Sequence, residues 1–268
     1  MNLLEKPSIY NQPSIYNQGG GGSSNVDVDI NGVVNTIVFP PYLQPVEYID
    51  MSNYTGDKKF TIECPEQIAI VDNVSKLYSK FVIKANDSKV TTTLQKPYNY
   101  LDQDITSNND IRAYLNKNNY GEGHVCIICG IRNCTLGPID FSKKLSLINR
   151  NKQNLFQVIE EGGNTRSDTD SRSMPTKNYG RLLLYHSHDS NTFFYGRIYY
   201  GYMYNEDTNK LLSLVIPARA KDENDKKPYF VECVTGSVGT NISPDSSVNG
   251  IEFGPDIDLS NEIPGWIT

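Results

Sequence analysis

Beyond Tyr42, the chain is a succession of short apolar segments, and this pattern limits the possible fold more than any other feature. The segments are separated by clusters of Asn, Asp, Gly and Pro, which favour turns. Short strands at such a spacing predict a β-sandwich or barrel rather than alternating strands and helices. The segments are FTIEC, KFVIKA, KVTTTL, HVCIICGIR, RLLLYHS, RIYYGYMY, LLSLVIPA and YFVECV. We therefore expect an all-β fold over residues 42–268.

Two segments depart from this pattern. The segment NNDIRAYLNKNN, residues 108–119, predicts a short helix because a polar residue would cap its start. Three apolar side chains would then share one face of that helix: Ile111, Tyr114 and Leu115. Residues Glu160–Gly180 are mostly polar and predict a long loop.

Residues 26–39, VDVDINGVVNTIVF, alternate between apolar and polar side chains. The dipeptide Asn31-Gly32 in their middle favours the type I′ turn of a two-stranded hairpin. Pro40 and Pro41 end the pairing because proline cannot donate to a strand ladder. We expect a small β-hairpin over residues 25–41, with edges that could pair with another chain.

The N-terminal segment contains a tandem repeat of six residues. PSIYNQ occurs at Pro7–Gln12 and again at Pro13–Gln18, and GGGGSS follows. Each proline favours extended backbone, and the glycine run is typical of a flexible linker. A disordered terminus is the alternative interpretation. Isoleucine and tyrosine are uncommon in such tails, however, and a tandem copy suggests two equivalent docking sites. Residues 1–24 therefore predict an anchor peptide, with these contact residues: Pro7, Ile9, Tyr10, Pro13, Ile15 and Tyr16.

The net charge of -6 argues against nonspecific binding to nucleic acid or anionic lipid. The sequence has no run of 18 apolar residues, so we predict no membrane span. The first residues do not resemble a secretory signal. The odd number of cysteines favours free thiols and assembly in a reducing cytoplasm. They are Cys64, Cys126, Cys129, Cys134 and Cys233.

The cysteine, histidine and carboxylate motifs of the sequence do not predict a metal site or a catalytic site. Cys126 and Cys129 would point to opposite faces of a strand, which predicts core thiols rather than zinc ligands. His186 and His188 could bind a metal, with Asp189 beside them, but the sequence identifies no further ligand. These three residues therefore predict a loop that contacts a ligand or partner. The two carboxylates that a jelly-roll glycosidase carries on one strand are missing. We therefore predict no enzyme activity, no metal and no cofactor.

Five motifs of the chain together match one known kind of module. The first is VEYI, and the second is FYGRIYYGYMYNEDTNKLLSLVIPARAKDE. Matching positions are Val46, Glu47, Tyr48, Ile49, Gly196, Ile198, Tyr199, Tyr204, Leu212, Ile216, Pro217 and Arg219. CGIRN, CVTGSVGTN and GPDI at 129–133, 233–241 and 254–257 match further strand ends and turns of the same module. Together these motifs resemble a concanavalin A-like, laminin-G-like module that is common in phage tail and virion-surface proteins.

The resemblance spans about 210 residues and implies a two-sheet antiparallel jelly roll over residues 42–268. It also implies that Arg132 and Asn133 lie in a loop that could bind a ligand. The N-terminal organisation is similar to that of phage fibre proteins that dock on a capsid or tail. We therefore expect a non-enzymatic head fibre, decoration protein or tail fibre subunit on the virion surface. Assembly in the host cytoplasm as a homotrimer or homodimer is also expected.

Two alternative functions are compatible with this pattern. In the first, loops at one end of the sandwich bind a host cell-surface glycan, as in a receptor-binding lectin. In the second, the protein cleaves glycans, which the missing carboxylate pair disfavours.

Overall fold

The computed structural model describes residues 24–30, 33–55, 69–71, 74–90, 108–117, 120–129, 132–172, 178–182, 195–239 and 248–259. Over these ranges the protein is almost entirely β. The strands are β1 Ser24–Ile30, β2 Val33–Phe39, β3 Leu43–Pro45, β4 Ile49–Asp50, β5 Ala69–Val71, β6 Leu77–Ala85, β7 Asn108–Lys117, β8 Gly123–Cys129, β9 Arg132–Ile139, β10 Leu145–Arg150, β11 Leu155–Glu160, β12 Thr165–Thr169, β13 Asn178–Leu182, β14 Gly196–Asn205, β15 Lys210–Ala220, β16 Pro228–Glu232, β17 Ser237–Gly239 and β18 Glu252–Phe253. Three short 3₁₀ turns, Val74–Lys76, Asp87–Lys89 and Asn151–Gln153, are the helical pieces of the described ranges.

The strands form a hairpin and two larger sheets. The larger sheet runs in the order β12-β11-β10-β6-β14-β15-β16-β17, with β3, β4 and β18 paired alongside it. The smaller sheet has the order β5-β13-β7-β8-β9. Every described pairing is antiparallel except the one between β13 and β7. The all-β, antiparallel class predicted from the sequence is confirmed.

The main core lies between the two sheets. Alternating side chains of β8 supply one wall with Val125, Ile127 and Cys129, while Cys126 and Ile128 occupy the other face of that strand. The opposite wall comes from the larger sheet and includes the fully buried Phe156 and Phe230. Burial of each such ring contributes about 2–3 kcal/mol relative to an exposed one. This core holds the two sheets face to face.

A second hydrophobic cluster covers the other face of the larger sheet and includes the end of the hairpin. β1 and β2 pair over seven positions, from Ile30 opposite Val33 to Ser24 opposite Phe39. Ile37 and Phe39 are buried in the second cluster, and the Val38 N–H donates to the Cys233 carbonyl at 2.7 Å. The hairpin is therefore joined to the sheet at its base.

Two predictions about local structure are wrong. Residues 108–117 form the strand β7, not a helix, because their backbone pairs with β8 on one side and β13 on the other. Residues Glu160–Gly180 are not a continuous loop, since they contain β12 and the start of β13. β12 is an edge strand with mostly exposed polar side chains, so it lacks the apolar alternation by which strands are recognised in a sequence.

Candidate functional site

The predicted ligand-binding residues Arg132 and Asn133 lie at the start of β9, where that strand faces the segment after β12. The Arg132 side chain is almost fully buried, with the residue 4% exposed. Its Nε donates to the carbonyl of Arg172, and its Nη1 donates to the carbonyl of Asn151 at 3.3 Å. Burial lowers the pKa of this guanidinium from its ordinary value. Arg132 therefore fastens two backbone segments to β9, and its role in ligand binding stays a prediction.

Asp170 completes this arrangement. Its Oδ2 accepts the N–H of Asn133 at 3.0 Å, and its Oδ1 accepts the N–H of Arg172 at the same distance. The Arg172 guanidinium also pairs with both oxygens of this carboxylate. The hydrogen bond from the Arg172 side chain is the largest effect on Asp170, and the net result lowers the pKa of Asp170 to about 2. We call Arg132, Asn133, Asp170 and Arg172 the β9 clasp.

Two polar side chains lie buried near the clasp, on the inner face of the larger sheet. Ser79 on β6 is the cross-strand neighbour of Asn149 on β10, and each is at most 2% exposed. Within the described ranges, neither the Ser79 hydroxyl nor the Asn149 amide has a hydrogen-bond partner. Asn151, two residues further on, contacts the Cys129 thiol through its Nδ2 at 3.6 Å. The interior between the sheets is therefore locally polar at this end.

The cysteines have the properties of core side chains. Cys126, Cys129, Cys134 and Cys233 are buried, and none of these four forms a disulfide. Burial raises the pKa of the Cys126 and Cys233 thiols, and burial together with Asp168 and Asp170 raises that of Cys134 to about 12. A raised pKa keeps the thiols of Cys126, Cys134 and Cys233 protonated at neutral pH, and a protonated thiol is a poor nucleophile. No cluster of three or more His, Cys, Asp or Glu side chains suited to a metal ion occurs in the described ranges.

The remaining predicted site residues lie outside the described residues. These are Pro7, Ile9, Tyr10, Pro13, Ile15, Tyr16, His186, His188 and Asp189, together with Cys64. No helix in the described part of the chain has the length and apolar character needed to cross a bilayer.

Three of the motifs that carry the resemblance to the laminin-G-like module, VEYI, the segment that forms β14 and β15, and GPDI, meet in one place. β4, which follows Tyr48, pairs with β14 through Ile49 opposite Ile198 and Asp50 opposite Arg197. β18 pairs with β4 on its other side. The segment before β4 also bonds to β15, since the Val46 N–H donates to the Pro217 carbonyl at 3.0 Å. β4 and β18, which are more than 200 residues apart in the chain, are thus neighbours in the larger sheet.

Ion pairs and aromatic rings hold this junction together. The Arg197 guanidinium lies 4.4 Å from the ring centroid of Tyr48, and its Nε donates to Asp50 Oδ2 at 2.7 Å. Burial raises the pKa of Asp50, but hydrogen bonds from Ser52 and Arg197 outweigh it and leave that pKa below its ordinary value. A Cβ at Gly254 would come within 2.8 Å of the Tyr48 ring, so the close approach requires glycine there. The junction is internally satisfied rather than open to a ligand.

A groove of about 490 Å³ opens beside this junction, at the base of the hairpin. Its lining combines apolar side chains, including three prolines, with polar and charged side chains. The lining residues are Phe39, Pro40, Pro41, Leu43, Gln44, Pro45, Lys221, Asp256, Ile257, Asp258 and Leu259. Gln44 Nε2 donates to the Ile257 carbonyl at 3.0 Å and so joins the two sides. We call this the hairpin groove.

Sequence reasoning does not identify the hairpin groove because its two sides are more than 200 residues apart in the chain. Pro40 and Pro41 signal only the end of a strand when they are considered alone. Glu232 is also missed: it is a fully buried carboxylate whose Oε1 accepts from Ser213 Oγ and whose Oε2 accepts from Thr235. Its place at the end of an apolar strand was the only available signal.

Comparison with models of protein families, with curated protein sequences and with solved structures yields no match.

Proposed function

We propose that this chain is a non-enzymatic structural protein of a bacteriophage virion, a head fibre, decoration protein or tail fibre subunit. Residues 1–24 dock on a capsid or tail protein, and the β-sheet body is displayed outward. As part of the proposal, that body has the concanavalin A-like, laminin-G-like jelly-roll topology. Self-assembly is as a homotrimer or homodimer, which closed rotational symmetry favours for a fibre.

The observation that carries the proposal is the way the repeated peptide is joined to the body. PSIYNQ occurs twice, followed by a glycine run, and the chain then enters β1. Ser24 at the start of β1 lies opposite Phe39, which is buried in the second hydrophobic cluster. The anchor segment therefore joins the body at the base of the hairpin, where Phe39 is buried.

The proposed docking mechanism uses the composition of each repeat. Proline keeps the peptide extended, so its ordering on a partner costs less conformational entropy than that of an ordinary chain. Ile9, Tyr10, Ile15 and Tyr16 would fill pockets, while the backbone would add to a sheet edge of the partner. A second copy raises retention through effective concentration, even where one copy binds weakly.

The test replaces Ile9, Tyr10, Ile15 and Tyr16 by alanine in the full chain and measures co-sedimentation with phage particles that lack the protein. We expect loss of particle association with an unchanged melting temperature, because the proposal gives these side chains contacts with the particle and none with the β-sheet body. The matched control replaces Ser8, Asn11, Ser14 and Asn17 by alanine and should keep most of the binding. Full binding by the first variant would contradict the anchor function.

A further inference from the structure

Three partly exposed lysines lie on the face of the larger sheet that carries the second hydrophobic cluster. Lys80 is the cross-strand neighbour of Tyr202, which belongs to that cluster. Lys84 follows four residues later on β6 and therefore points to the same face. Lys144 immediately precedes Leu145, which pairs with β6 at the residue before Lys84. We call Lys80, Lys84 and Lys144 the lysine site.

A β-bulge in β14 forms the floor of the lysine site. The register of β14 against β6 shifts between Ile198 and Tyr200, and as a result Tyr199 and Tyr200 both belong to the second cluster. The Lys144 Nζ lies 4.1 Å from the ring centroid of Tyr199, and the Lys80 Nζ lies 5.7 Å from that of Tyr200. The bulge thus places two ammonium groups over adjacent rings. Because both rings are buried, a ligand would contact the ammonium groups above them.

The positive charge of the lysine site is not balanced by carboxylates. Lys144 lies 3.7 Å from Glu47, whose side chain is 40% exposed, and an exposed ion pair of this kind contributes little. In the part of the chain that the structure describes, no carboxylate forms an ion pair with Lys80 or Lys84. Burial lowers the pKa of Lys80, and the charge of Lys144 lowers it further. The two ammonium groups are therefore close enough to repel each other.

Two other carboxylates near the lysine site leave this excess in place. Asp50 accepts a hydrogen bond at 2.7 Å from Arg197, the residue opposite Lys84, so its charge is already matched. Glu161 joins the backbone of Lys144 through its N–H, but its side chain is exposed and pairs with none of the three lysines. Like charges held together lower stability, and a bound anion would reverse that effect.

We propose that the lysine site binds an oxyanion group carried by a sugar of a cell-surface polymer, with Lys80 and Lys144 donating to its oxygens. A carboxylate, a sulfate and a phosphate share this chemistry. The net charge of -6 disfavours a long polyanion such as nucleic acid, so the occupant carries few charges. The choice of a sugar rests on the proposed function, in which the body is displayed outward. Both PSIYNQ repeats remain docked on the particle.

The test follows the lysine side-chain signals of the full chain, labelled with ¹³C-lysine, by NMR during titration. The anionic probes are trigalacturonate, galactose sulfate and glucose phosphate, and maltotriose is the neutral control. We expect at least one anionic probe to shift the Lys80 and Lys144 signals to saturation, while maltotriose leaves them unchanged. The probe with the highest affinity identifies which oxyanion the site prefers. Unchanged Lys80 and Lys144 signals with all three anionic probes would overturn the proposal.

A charge-matched pair of variants gives a second measurement. Lys80→Gln combined with Lys144→Gln should weaken binding of the preferred probe about tenfold or more, because charge-assisted hydrogen bonds are lost. Its melting temperature should stay the same or rise, since the repulsion is removed. Lys226→Gln combined with Lys227→Gln removes the same charge from exposed positions and should change the affinity less than about twofold.

Equal weakening by the two variants would show nonspecific attraction of anions and would contradict the site. Tighter binding of an oligothymidylate than of the anionic sugars would contradict the sugar ligand. The NMR titration uses the unaltered protein, so it decides even if Lys80→Gln and Lys144→Gln prevent folding. No phage particle is present in either measurement, so their failure is distinct from failure of the anchor function.

Discussion

Glu232 is the residue on which the end of β16 depends most. Its Oε1 accepts hydrogen bonds from Ser213 Oγ and from the N–H groups of Leu214 and Val234. Its Oε2 accepts two more from the N–H and the hydroxyl of Thr235. A carboxylate without exposed surface is tolerated because donors surround it, and its loss would leave the Ser213 hydroxyl and the Leu214 N–H buried without this acceptor.

Replacement of Glu232 by alanine should therefore lower the free energy of unfolding by about 3 kcal/mol. Urea denaturation followed by circular dichroism measures this change. Glu223→Ala is the matched control, because Glu223 is exposed in the turn before β16, and it should change stability by less than about 0.5 kcal/mol. Equal effects of the two substitutions would show that the Glu232 hydrogen bonds contribute little.

At the scale of elements, the β9 clasp connects the segment after β12, the polar edge strand of the larger sheet, to the start of β9. β12 buries little apolar surface, so its position depends on hydrogen bonds and on the ion pair that follows it. Asp170 links the start of β9 to that segment through Asn133. The clasp should therefore depend on pH.

The sign of this dependence follows from the lowered pKa of Asp170. The unfolded carboxyl has a pKa of about 3.9, whereas the folded one has a pKa of about 2. Its contribution to stability is complete above the unfolded value and is lost as pH falls through the folded value. We expect about 2 kcal/mol from this carboxylate, lost progressively between about pH 5 and pH 2.

Asp170→Asn should remove that part of the acid dependence, so that the variant and the unaltered protein converge in stability near about pH 2. Unfolding by urea at a series of pH values gives the comparison. Asp168→Asn, two residues earlier on the exposed strand, should leave the difference between neutral and acid stability unchanged. An Asp170→Asn profile parallel to that of the unaltered protein would refute the assignment.

The elements also show what sequence patterns can and cannot predict. β6, β14, β15 and β16 carry long apolar runs, and the structure confirms all four as strands. The hairpin strands follow from alternation around Asn31-Gly32 and pair as expected. The helix predicted for residues 108–119 was wrong because their apolar spacing fits both a helix and a strand. Backbone pairing with β8 and β13 makes this segment the strand β7. The clasp and the hairpin groove depend on contacts between distant segments, which no local pattern contains.

At the scale of the whole molecule, both faces of the larger sheet are covered by hydrophobic clusters. One cluster faces the smaller sheet, and the other includes Ile37 and Phe39 of the hairpin. The start of the body also lies against its end, since Val46 bridges to Asp256 and β4 pairs with β18. Ser24, the first described residue, pairs with Phe39, and Phe39 lines the same groove as Leu259, the last described residue.

This arrangement suits a body that is attached at one place and displayed elsewhere. Under the proposed function, the particle contacts only the repeats, and the sheets contribute no residue to the attachment. The body could then vary in sequence without affecting attachment, provided that the hairpin base remained packed.

Cryo-electron microscopy of the phage particle tests this account most directly. The account predicts continuous density for residues 7–18 in contact with a capsid or tail protein, with the β-sheet body standing away from the particle surface. Attachment of the particle through the sheets, with residues 7–18 making no contact with it, would contradict the account.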